Sequence, residues 1–107
     1  MDKASLVKKL NLVFCEKNKD ENRYSKVWLT DANFGGFYYS GDFILNIKPD
    51  HHLEDRAQEI KNIFQLLAEK APEELKSIYR VIVFNSDDIL QNDNASDLVF
   101  PMIEASC

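Results

Sequence analysis

One stretch limits the fold more than any other. After Pro49-Asp50, the residues Leu53, Ala57, Ile60, Phe64, Leu67 and Ala71 recur at i, i+4 and i+7, and Ile63 widens the stripe. That period is helical, and it predicts an amphipathic helix over about residues 52–70 with one apolar face to bury. Asp50 is the expected N-cap, and Ala71-Pro72 the expected end. Pro72-Glu73-Glu74 then reads as the start of a short helical turn, because Pro and acids suit a helix N-terminus. A helix with one apolar face needs a second layer to cover it, and the rest of the chain must supply that layer.

The pattern before Pro49 supplies it. Leu6, Val7, Leu10, Val13 and Phe14 form a second helical stripe over about residues 3–17, with Lys3, Lys8, Lys9, Glu16 and Lys17 mostly opposite. The polar run from Lys17 to Arg23 reads as a solvated loop. Residues 24–48 then switch to strand chemistry. In Tyr24–Thr30, Val27 and Leu29 share one face, while Lys26, Trp28 and Thr30 share the other, expected to be the solvent side. Asp31–Gly36 reads as a turn, Phe37–Tyr39 as a short strand, and Ser40-Gly41 as a second turn or a bulge. Phe43, Leu45 and Ile47 alternate with Ile44, Asn46 and Lys48 in a further strand.

Tyr79–Phe84 carries four consecutive apolar residues, which predicts a strand covered on both faces and central in its sheet. Ser86 is a candidate cap for a turn at 87–90, and 91–97 reads as a polar loop. Leu98-Val99-Phe100 is a last strand broken at Pro101, where an edge position is expected. The expected fold is α+β, with a mainly antiparallel sheet of three to five strands and helices packed on one face, in the order α-β-β-(β)-α-β-(β). The 107 residues suit one domain spanning 1–107, and 45% apolar with 29% charged residues is the balance of a folded chain.

Composition also narrows function. No run of about 18 apolar residues is present, so no membrane association is expected. The start Met1–Ser5 lacks the apolar region of a secretory signal. Cys15 and Cys107 are read as free thiols of a reducing compartment, which points to the cytoplasm. The net charge is −5, split as +2 over residues 1–48 and −7 over residues 49–107. An acidic half disfavours phosphate backbones and anionic lipids and suits a basic protein partner.

Four features of the sequence are candidate sites. His51 and His52 lie among Asp50, Glu54 and Asp55, but adjacent residues at a helix start point about 100° apart, and His-x-x-x-His spacing is absent. Two solvated side chains is the simpler reading. Asp87, Asp88, Asp93 and Asp97 lack calcium-loop spacing. Cys15 and Ser40 have no base beside them in the sequence, and Gly35-Gly36 is not followed by the Lys-Ser/Thr of a phosphate loop. No catalytic residue, metal or cofactor is therefore assigned.

The fourth feature is aromatic. Seven of the twelve aromatic residues fall within positions 24–43, and alternation sends some of them away from the helices. Trp28, Phe34, Tyr38 and Tyr39 form the candidate interaction surface, against the alternative that they complete a second small core. The sequence thus favours a non-enzymatic intracellular protein-interaction module. It is acidic, either inhibitor- or immunity-type toward a basic partner or self-associating as a homodimer. The alternatives are a small ligand-binding protein or enzyme with a pocket near His51 and His52, and single-stranded nucleic-acid binding through the aromatic region.

Overall fold

The computed structural model describes residues 3–21, 23–34, 37–85 and 100–101, with side chains described for 3–19, 23–32 and 43–85. Among the described residues, seven elements follow in chain order: α1 (Lys3–Glu21), β1 (Tyr24–Phe34), β2 (Phe37–Pro49), α2 (Arg56–Lys70), α3 (Pro72–Leu75), β3 (Ile78–Val83) and β4 (Phe100–Pro101). The fold is α+β. The sheet order is β3-β2-β1-β4. β1 pairs antiparallel with β2 and with β4, whereas β2 and β3 run parallel, so the sheet is mixed. The parallel pair follows from the connection: α2 lies between β2 and β3, and a crossover helix brings the chain back in the same direction.

β3 was expected at the centre and, among the described strands, instead stands at an edge. Its apolar run has another cause. Val81 and Val83 face the helices and are buried, while Ile82 is only half-buried on the other face. Phe84 follows the strand and stacks on Trp28. The expected strands at Phe37–Tyr39 and Phe43–Lys48 are one long strand, β2. Its register against β1 shifts between Asp31 and Asn33, which makes Ser40-Gly41 part of a bulge.

Register sets the floor of the core. Val27 pairs with Ile47 and Leu29 with Leu45; across the parallel ladder, Leu45 pairs with Val81 and Ile47 with Val83. Leu6, Leu10, Val13 and Phe14 of α1 and Ile63 and Leu67 of α2 pack onto this floor, all in one buried cluster. Truncating a residue such as Leu10 to Ala would cost about 3 kcal/mol through lost burial and the cavity left behind.

α2 begins at Arg56, later than expected. Asp55, not Asp50, is its N-cap, accepting a 3.0 Å bond from the Gln58 backbone N–H. Its buried stripe is Glu59, Ile63 and Leu67, whereas Ala57 and Phe64 of the expected stripe are exposed. α1 runs on to Glu21, through most of the stretch read as a loop. The exit from α1 is fixed by Asn18. Its amide donates to the Tyr24 carbonyl at 2.9 Å, and its Oδ1 accepts from the Tyr24 N–H at 2.8 Å. The segment before α2 is held the same way. Asn85 accepts from the Leu53 N–H at 2.8 Å and donates to the Leu53 carbonyl at 3.0 Å.

Cys15 is half of a disulfide, which corrects its reading as a free thiol and removes the step from thiols to a reducing compartment. The chain has one other cysteine, Cys107. Cys107 lies outside the described residues, as do the expected turns at Gly35-Gly36 and 87–90, the loop at 91–97 and the acids Asp87, Asp88, Asp93 and Asp97. Among the described residues, no helix is long and apolar enough to cross a membrane.

Candidate functional site: the sheet face turned away from the helices

Strand alternation assigns each side chain to a face. With Val27, Leu29, Leu45, Ile47, Val81 and Val83 under the helices, the opposite face carries Lys26, Trp28, Thr30, Ile44, Asn46, Lys48, Arg80 and Ile82. The register arranges them in rows across β1, β2 and β3. Thr30, Ile44 and Arg80 form one row; Trp28, Asn46 and Ile82 the next; Lys26 and Lys48 the last. Phe84 joins them at the end of β3, where its N–H donates to the Ile47 carbonyl at 2.9 Å.

The centre of this face is aromatic. The rings of Trp28 and Phe84 lie 5.6 Å apart between centroids with 14° between their planes, an offset stack reaching from β1 across β2. The Lys26 ammonium stands over the indole at 4.8 Å, within cation–π range. Between Trp28 and Ile82, Asn46 is only 5% exposed. Its amide nitrogen lies 3.2 Å from Thr30 Oγ1, 3.3 Å from the Ile44 carbonyl and 3.4 Å from the Trp28 carbonyl, so this buried polar group has acceptors on both strands. Ile44 beside it is 7% exposed. Lys26, Lys48 and Arg80 are exposed around these inner residues.

Among the described side chains of this face, the charge is of one sign. Three of these nine side chains are cationic and none is a carboxylate, in a chain whose net charge is −5. Lys26 and Lys48 are direct cross-strand partners. Like charges placed opposite each other on neighbouring strands repel and destabilise the pair.

Trp28 thus lies on the face the sequence assigned to it, but half-buried against a ring from a distant strand. The Phe84 partnership was missed, because nothing local in the sequence links positions 28 and 84. For the other three candidates the backbone alone is described: Phe34 pairs with Phe37, Tyr38 pairs with Asn33, and Tyr39 lies in the irregular stretch of β2.

His51 and His52 are both exposed, in the segment joining β2 to α2. Asp55 beside them is committed to capping α2. Among the described residues, no group of three or more His, Cys, Asp or Glu is placed to hold a metal ion.

A second polar cluster sits under the helices. Glu59 is 4% exposed. One of its oxygens accepts from the Arg23 guanidinium and the other from the Tyr24 hydroxyl at 3.3 Å. The bond to Glu59 holds the Arg23 guanidinium in its charged form, its pKa well above the ordinary arginine value. Burial, and then the negative charge of Glu59, push the Tyr24 phenol up to about 12. This cluster lines a cleft of about 320 Å³ together with Asn62 and Gln65. A wider groove of about 1000 Å³ runs between α1 and α2 past Leu12, Cys15, Leu66 and four lysines, with Leu12 61% exposed. His51 and His52 line neither. The sequence signal that was available was Glu59 itself, a carboxylate four residues before Ile63 on an otherwise apolar line. No known protein family, curated protein or solved structure matches the chain.

Proposed function

We propose that the protein is a non-enzymatic interaction module, binding another polypeptide through the sheet face that carries Trp28. The observation that carries this reading is the Trp28–Phe84 stack, set on the face opposite the helices and bordered by exposed Lys26, Lys48 and Arg80. A large aromatic group at the middle of a patch, with charged groups at its rim, is the arrangement of residues that dominate binding energy at protein interfaces. The nucleic-acid reading has less support. Base stacking needs a free ring face, and the indole is already engaged by Phe84 and by the Lys26 ammonium. The disulfide at Cys15 favours an oxidising compartment over the cytoplasm expected from free thiols.

Photo-crosslinking in the native host tests the reading. A photoreactive residue placed at Lys48 or Arg80 should yield discrete protein adducts, and the same residue at the exposed helix position Lys61 should not. Adducts of twice the chain mass would identify the partner as a second copy. Equal labelling at Lys61, or none at the sheet positions, would remove this function from the face.

A further inference from the structure

Resting on that reading, we infer that the partner presents an acidic segment to this face, with the carboxylates of the segment meeting Lys26, Lys48 and Arg80. Two observations point to this chemistry. Among the described residues, nine side chains on one face include three cations and no carboxylate, in a chain whose net charge is −5. Within that set, Lys26 and Lys48 stand directly opposite each other. A like-charged cross-strand pair weakens the free sheet; the Trp28 ring attracts the Lys26 ammonium, but among the described residues no carboxylate pairs with Lys26 or Lys48. An anionic partner supplies that carboxylate, placing negative charge between the two ammonium groups and offsetting their repulsion. The inner residues fix the geometry of the contact. Ile44 and Asn46 are almost inaccessible, so the partner meets the charged rim and the exposed parts of Trp28 and Phe84. A polypeptide fits this better than a single-stranded nucleic acid, because three cations neutralise few phosphates and the body of the protein repels the rest.

Trp28 is the only tryptophan in the chain, so its fluorescence reports on this face alone. The test titrates the intact protein with a short synthetic peptide alternating Glu and Val, with its Gln and Lys counterparts, and with oligothymidylate. The Glu peptide should produce a saturable change in Trp28 emission, with an affinity that weakens as salt is raised. Lys48→Glu and Arg80→Glu should each weaken it by about tenfold, the scale of losing a charge contact at an interface rim. Lys48→Glu should at the same time raise the melting temperature of the free protein, a result that a misfolded variant cannot give. Equal binding of the Gln peptide, or a Lys48→Glu variant that binds as well as wild type, overturns the acidic-segment inference. Tighter binding of oligothymidylate assigns the face to nucleic acid. A synthetic peptide of residues 86–99 that outcompetes the Glu peptide assigns it to the chain's own acidic stretch. If photo-crosslinks form at Lys48 while the Glu peptide fails, the interaction face stands and only the partner chemistry falls. If the Glu peptide binds with Trp28 emission unchanged and no effect of Lys48→Glu, the face itself is wrong.

Discussion

Arg23 and Glu59 form an ion pair across 36 positions, with the carboxylate buried and the guanidinium partly open to solvent. The two ends of this pair are therefore not equivalent. Removing Arg23 leaves a charge buried without its cation, whereas neutralising Glu59 leaves a cation that can turn to water. Arg23→Met should destabilise the protein by about 3 kcal/mol, and Glu59→Gln by clearly less. Chemical denaturation of both variants at neutral pH checks the order, and equal losses would contradict it.

The same cluster fixes an alkaline limit. Tyr24 ionises near 12 in the folded protein and near 10.0 in an exposed chain. A phenol whose folded pKa is raised contributes stability that is complete below pH 10. That contribution is lost as pH rises from 10 to 12, because the unfolded chain releases the proton first. The expected loss is on the order of 2 kcal/mol across that window. Tyrosinate absorbance should show a titration step near pH 12, and Tyr24→Phe should remove it.

How much of this was legible in the chain depends on how local the cause is. The core face of α1 was, because Leu6, Leu10, Val13 and Phe14 hold a helical period without interruption. The phase of α2 was misread because Glu59 counts as polar in any pattern, and only Arg23 and Tyr24, far away in sequence, make its burial tolerable. The central place given to β3 failed for a similar reason. An apolar run normally means two covering layers, but here Phe84 is used by a lateral stack onto Trp28. The face of Trp28 was legible from alternation alone, while its neighbour across the sheet was not.

Asn18 carries a prediction about the helix end that was misread. Its side chain answers both main-chain groups of Tyr24, so Asn18→Ala leaves two polar groups to find water near the core. A loss of about 1–3 kcal/mol is expected. Asn18→Asp should cost part of that, since a carboxylate keeps the acceptor and loses the donor. Thermal melts of the two variants, ordered Ala below Asp below wild type, would bear this out.

The lysine pair of the sheet makes the opposite kind of prediction. Lys48→Glu places a carboxylate across from Lys26 and should stabilise the free protein by roughly 0.5 kcal/mol. Substituting Lys61, exposed on α2, by Glu should leave the melting temperature nearly unchanged. A destabilised Lys48→Glu protein would show that the pair is compensated by something other than its own strands.

Cys15 offers a direct chemical check. As a disulfide partner, it should resist alkylation by iodoacetamide in the folded, unreduced protein and become reactive after reduction. Peptide mapping of the two samples reads the outcome, and alkylation without reductant would restore the free-thiol reading.

The two asparagine clamps have an architectural consequence. Tyr24 opens β1, Leu53 follows β2, and Asn85 follows β3, so register puts both clamps at one end of the sheet. Arg56 ties α2 to the Val83 carbonyl there, and the Asp50 N–H binds the Arg23 carbonyl at 2.7 Å. The sheet therefore has a stitched pole, where loops are laced to strands by amides standing in for peptide groups. At its other pole lies the bulge of β2. Side-chain amides thus tie loop to strand at one end of the sheet, while the opposite end carries the irregular register of the bulge.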